Sequence, residues 1–178
     1  MPSANPTIKA LRGLLRRGLN ADEFAKHLKE FSGKNDRLIA VVGGAHIESA
    51  LRGLIMGTLR QGEKTQELFI GHGELARLSS RIKFAYAMKL IDNDLRRNLD
   101  YIREIRNVFA HRVAPTRFTT PEVAAACKLL NLGDYENSRT KRSMRLRYLG
   151  AVMHSLNYLW GDLVRADGAS PPSQRTPT

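Results

Sequence analysis

The amino-acid sequence predicts an all-α protein, a bundle of about six or seven helices, on three observations. Apolar residues recur at helical spacing through long segments, capping residues stand where those segments begin, and no segment between residues 35 and 165 reads as a strand. Ala10 to Gly18 fits a short basic helix, with Leu11, Leu14 and Leu15 on one side and Arg12, Arg16 and Arg17 facing water. Asn20 can cap a second helix, whose Phe24, Leu28 and Phe31 share a face and whose Asp22 and Glu23 suit its positive end. Asn35 or Asp36 can cap a helix of about 25 residues reaching Leu59. Its small residues, Gly43, Gly44, Ala45, Ser49, Gly53 and Gly57, would let a neighbouring helix approach closely.

The segment ELFIGHGEL reads as a loop around Gly71 and Gly73, followed by a helix from Leu75 or Ser79 to Ile91. Asp92 or Asn93 caps the next helix, which runs to about Arg112. Pro115 closes that region, and Pro121 stands where a first-turn proline would start a short helix through Leu130. A last long helix is expected from Arg139 to Arg165. The domain plan is therefore a basic helical segment over 1–18, one helical domain over 19–166, and a tail over 167–178. That tail is rich in Pro, Ser, Thr and Gly and is expected to be disordered.

Composition narrows the function. The chain has 178 residues, enough to bury a core without metals or disulfides. Twenty-nine Lys and Arg against seventeen Asp and Glu give a formal net charge of +12, a field that attracts polyanions, of which nucleic acid is the commonest in a cell. The single Cys127, in AAACKLL, excludes an internal disulfide and reads as a core thiol. Five scattered His show no metal-ligand spacing, so neither metal nor cofactor is expected. The N-terminus lacks the apolar core of a secretion signal. Leu38 to Met56, the most apolar stretch, is interrupted by His46, Glu48 and Arg52. The expectation is a cytoplasmic protein with no membrane partner.

The segment LRRNLDYIREIRNVFAHRV, Leu95 to Val113, is the most informative. Leu95, Leu99, Ile102, Ile105 and Phe109 form one apolar stripe, and Arg106 falls within it. A guanidinium buried there requires an acidic partner on another helix, Glu48 first and Asp36 second. His111 lies about 140° from Arg106 around the helix, on the less apolar side with Asn107. The second feature is SRTKRSMRLRYL, where Arg139, Lys141, Arg142, Arg145 and Arg147 could meet phosphates or form a solvated helix start. Tyr135 and Tyr148, nearby, could stack on bases or belong to the core.

Arg106, Asn107 and His111 resemble the arginine, four residues, histidine pattern of HEPN-type domains, which are helical bundles. In ribonuclease members of that superfamily the pair lies at a dimer cleft and promotes metal-independent RNA cleavage, so the resemblance implies catalytic roles for these three residues and a homodimer among the assemblies. His would exchange protons with the attacking hydroxyl or the leaving oxygen, and Arg would stabilise charge on the phosphate. Val113 stands where some toxin-type members have Tyr. A wider likeness runs through DRLIAVVGGAHIESALRGLI, ELFIGHGELARLSSRIKFAYAMKLID and LDYIREIRNVFAH, blocks whose order and character resemble the mannitol repressor family; Lys89 occupies a position where that family leads us to expect Gly. The resemblance implies a bacterial transcriptional regulator, nominally a repressor, without a helix-turn-helix. Its expected partner is nucleic acid or a regulatory protein, and the alternative is a metal-independent endoribonuclease.

Overall fold

In the computed structural model, which describes residues 35–168, the chain forms seven α-helices and one 3-10 turn, with no strand among the described residues. The expected segment 1–18, the helix starting at Asn20 and the tail beyond Gly168 lie outside the described residues.

Helix α1 (Asp36–Thr58) begins where Asn35 accepts a hydrogen bond from the Arg37 amide at 2.9 Å. It is the centre of the fold and packs against α3, α4 and α7. Its length and composition would suffice to cross a membrane, yet more than half of it is buried inside the bundle. Gly43 and Gly44 do admit close neighbours. A Cβ on Gly43 would stand 3.1 Å from the Tyr148 ring, and one on Gly44 would stand 2.6 Å from Arg106 Cγ. Ala45 is exposed and Gly57 meets nothing, so only part of the small-residue run has this purpose.

A single helical turn, α2 (Glu63–Glu67), which the sequence did not suggest, precedes the glycine loop; Gly71 there adopts a φ of +60°. Helix α3 (Leu78–Ala87) stops short of the expected Ile91. Lys89 turns to φ +58°, and the amides of Lys89 and Leu90 bond to the carbonyls of Tyr86 and Ala85, closing the helix end. Helix α4 (Asn93–His111) starts as expected, with Asp92 accepting from the Leu95 amide at 2.8 Å. Helix α5 (Pro121–Lys128) has its proline in the first turn and ends two residues before Leu130.

The last expected helix is two. Helix α6 (Ser138–Arg142) opens with a capping box between Asn137 and Thr140, and α7 (Met144–Gly168) follows after an extended Ser143. Ser143 caps α7: its carbonyl accepts from the Arg147 amide at 2.8 Å and its hydroxyl from the Leu146 amide at 3.4 Å. A 3-10 turn (Gly133–Tyr135) joins α5 to α6.

Pairs of contacts set the topology. Asp36 meets Arg145 and Ala40 meets Tyr148, so α1 and α7 run parallel. Arg37 meets Arg112 and Gly44 meets Arg106, so α4 runs antiparallel to α1. Phe109, Phe118 and Tyr148 stack in a chain, with ring centroids 4.8 and 5.3 Å apart, and the Tyr148 hydroxyl donates to the Ala40 carbonyl at 2.8 Å. Fully buried chains such as Ile47, Leu51, Leu99 and Ile102 each contribute about 1.5–3 kcal/mol. Buried polar groups lie among them too. Asn98 of α4 bonds to both the amide and carbonyl of Asn131 and to the Ser155 hydroxyl, tying α4 to α7 and to the chain after α5.

Candidate functional site

The parallel course of α1 and α7 brings the positive ends of the two longest helices to one pole of the bundle, where α4 also ends. Arg37, on the first turn of α1, donates to the Arg112 carbonyl at 2.5 Å. A shallow depression of ≈ 660 Å³ opens beside it, lined by Arg37, Arg117 and Arg145 together with Thr116 and the fully solvated Val113. Asp36 lies at the same place, and its carboxylate is spent on internal bonds: it accepts from Arg145 Nε at 2.8 Å and from the Phe118 amide at 3.0 Å. Asp36 is therefore not the partner of Arg106. It sits at the start of α1, two turns from Gly44, over which Arg106 lies.

The basic run before and within α7 divides by role. Arg139, Lys141 and Arg142 are exposed on α6. Arg145 holds Asp36, and Arg147 caps the end of α5, with Nε on the Cys127 carbonyl at 2.9 Å and Nη2 on the Leu130 carbonyl at 3.1 Å. The Ser143 break directs these two side chains inward, so they are braces of the fold. Tyr148 is wholly buried, and Tyr135 is half-buried with its hydroxyl accepting from Asn157. Among the five cations of that run, the exposed three lie on α6, which leads directly into the start of α7, while the pole itself carries the exposed Arg37, Arg112 and Arg117. Those last three carry no local sequence signal, because each stands alone in its segment.

Arg106 and His111 lie on different sides of α4, as the 140° between them implies, and Arg106 is less buried than its place in the stripe suggests. Arg106 sits at the edge of the buried stripe, its side chain 30% exposed, lying across Gly44. Its Nη1 donates to Asn107 Oδ1 at 3.2 Å, its Nη2 is 4.0 Å from Glu48, and its Nε is buried without a partner. Glu48 is closer to Arg81, at 3.2 Å. His111 is exposed on the other side of α4, in a groove of ≈ 710 Å³ shared with Asn107, Val108 and Glu122. One chain thus leaves the two side chains on different faces of α4.

Arg81 is the buried cation that the sequence reading overlooked. It lies within the apolar face of Leu78, Ile82 and Ala85, and that placement was the available signal. Its guanidinium donates to the carbonyls of Leu75, Glu48, Phe69 and Ala76 as well as to the Glu48 carboxylate. Burial lowers its pKa from the ordinary arginine value, and Glu48 opposes that shift. Cys127 is buried as expected, and desolvation pushes its thiol up to about 12, so it is inert. No group of His, Cys, Asp and Glu suited to a metal occurs among the described residues.

Comparison with protein-family models, curated proteins and solved structures finds no match to this chain.

Proposed function

We propose that this protein is a bacterial transcriptional regulator, resembling the mannitol repressor family, that acts in the cytoplasm by binding nucleic acid through its basic pole. The observation that carries this reading is the gathering of Arg37, Arg112 and Arg117 at the positive ends of α1 and α7, with Arg139, Lys141 and Arg142 on the adjoining helix. The lone acid at the depression, Asp36, is neutralised by Arg145. The surface left to a ligand is therefore cationic, and phosphate contacts of this kind supply most non-specific affinity for nucleic acid.

Fluorescence anisotropy with duplex DNA and with single-stranded RNA, over a range of salt, tests this. Exchanging Arg37, Arg117 and Arg142 for Gln weakens binding and makes the log-log salt dependence shallower by about 0.9 for each duplex phosphate no longer neutralised. An unchanged slope refutes the pole as the interface. Arg145 and Arg147 are unsuitable for this experiment because removing them disturbs the fold. The ribonuclease alternative requires His111 to receive an arginine from a second copy, since Arg106 of its own chain lies against α1. RNA cleavage in chelator that His111→Ala abolishes would establish that alternative instead.

A further inference from the structure

The corner between α3 and α4 lies at the opposite end of the bundle from the basic pole, because α4 spans roughly 27 Å between the two. Here the α3 terminus demands a left-handed residue, for which Gly is the ordinary choice, and the chain has Lys89 at φ +58°. Lys89 lines a cleft of ≈ 630 Å³ with Tyr86, Leu90, Ile91, Leu95 and Tyr158. Both tyrosines are unusually open for large side chains, at 45% and 49% exposure. The Tyr86 ring is backed by the Arg96 guanidinium at 5.3 Å, and Arg96 is itself held by Asn93 and Asp100. The Tyr158 ring meets His154 edge-on at 5.5 Å. Two steadied aromatic rings therefore border an apolar floor, with the exposed Lys89 on the same rim.

We propose that this cleft binds a small planar aromatic carboxylate. The rings and the floor of Leu90, Ile91 and Leu95 fit a flat apolar body, and Lys89 fits an anionic end. A single ammonium suits one negative charge. Among the described residues that line it Lys89 is the one cation, and Asp92 on the same rim repels a phosphate dianion more strongly than a carboxylate monoanion. Asp92 is fixed there by its bond to the Leu95 amide. Lys89 in the left-handed conformation costs backbone energy that Gly would not, and it places a cationic residue on this rim. Binding here is independent of nucleic-acid binding at the other pole.

Isothermal titration calorimetry with salicylate, its neutral analogue salicylamide and non-aromatic cyclohexanecarboxylate tests it. Salicylate binds, and each of the other two binds about tenfold more weakly, the scale of one charged or stacking interaction. Lys89→Gly reduces salicylate to the level of salicylamide while raising Tm, because it relieves the backbone. Lys89→Met keeps the strain, loses the charge and shows the same weakening without the gain in Tm. Tyr158→Ala weakens salicylate and salicylamide together. Absence of salicylate binding at millimolar concentration, or equal affinity in the Lys89 variants, overturns the proposal. Tighter binding of adenosine monophosphate in competition overturns the carboxylate assignment.

Discussion

Removing the Arg81 guanidinium tests whether one side chain pins the glycine loop to α1. In Arg81→Ala the carbonyls of Leu75, Phe69 and Ala76 lose their donor, and Glu48 loses its nearer cation. Breaking a buried pair costs about 3–5 kcal/mol. Water can reach Glu48, which is 30% exposed, so the cost falls towards the lower end, about 3–4 kcal/mol. For a chain of this size that lowers Tm by about 6–16 °C. Arg81→Lys keeps the charge but cannot fork to several carbonyls, and it loses about 2 kcal/mol. Urea denaturation followed by far-ultraviolet circular dichroism measures each value. A loss below about 1 kcal/mol in Arg81→Ala would mean that the loop holds its shape through Phe69 and Leu75 packing alone, and the reasoning would fail.

Two further outcomes follow from buried groups. Asn98→Leu leaves the Asn131 amide and carbonyl and the Ser155 hydroxyl without their partner, and it costs about 2–3 kcal/mol in the same denaturation assay; a neutral result would show that water replaces the amide. Alkaline stability reports on Cys127, whose thiol is raised from 9.0 to about 12 in the fold. Between those values the unfolded thiol ionises while the folded one keeps its proton, so the unfolded state binds fewer protons and stability falls as pH rises. The slope is about 1.4 kcal/mol per pH unit from this group, and Tyr148, also raised by burial, adds to it above its ordinary value of 10.0. Cys127→Ala flattens the curve by the thiol's share, and an unaltered slope would contradict the assignment.

Helix type, order and most starts were readable because capping is local: Asn35, Asp92 and Pro121 act within three residues of where they stand. The stripe of Leu95, Leu99, Ile102, Ile105 and Phe109 was readable for the same reason, being a property of one helix. What escaped depends on distant partners. Arg145 and Arg147 look like surface cations until Asp36 and the end of α5 arrive beside them. That Glu48, besides its expected contact with Arg106, pairs more closely with Arg81 follows from how α3 leans on α1, which periodicity does not encode. The break at Ser143 was hidden because helix-compatible residues flank it, and only its capping bonds to Leu146 and Arg147 mark the new start. The basic pole was partly legible, as the Arg139 to Arg142 run, while Arg37, Arg112 and Arg117 join it only through topology.

The parallel pairing of α1 with α7 has a kinetic consequence. Asp36 and Arg145 are separated by 109 residues, and Ala40 and Tyr148 by 108. Most helical bundles gain speed from contacts between neighbours in sequence, whereas here the central pair closes a loop containing all five other described helices. On the ribosome α1 emerges long before α7, and of the described helices that pack on it α3 and α4 alone are made in the interval. The strip around Ala40 and Gly43 therefore lacks its α7 partners, Tyr148 and Val152, until α7 has been made, and that interval is when aggregation or chaperone capture competes with folding.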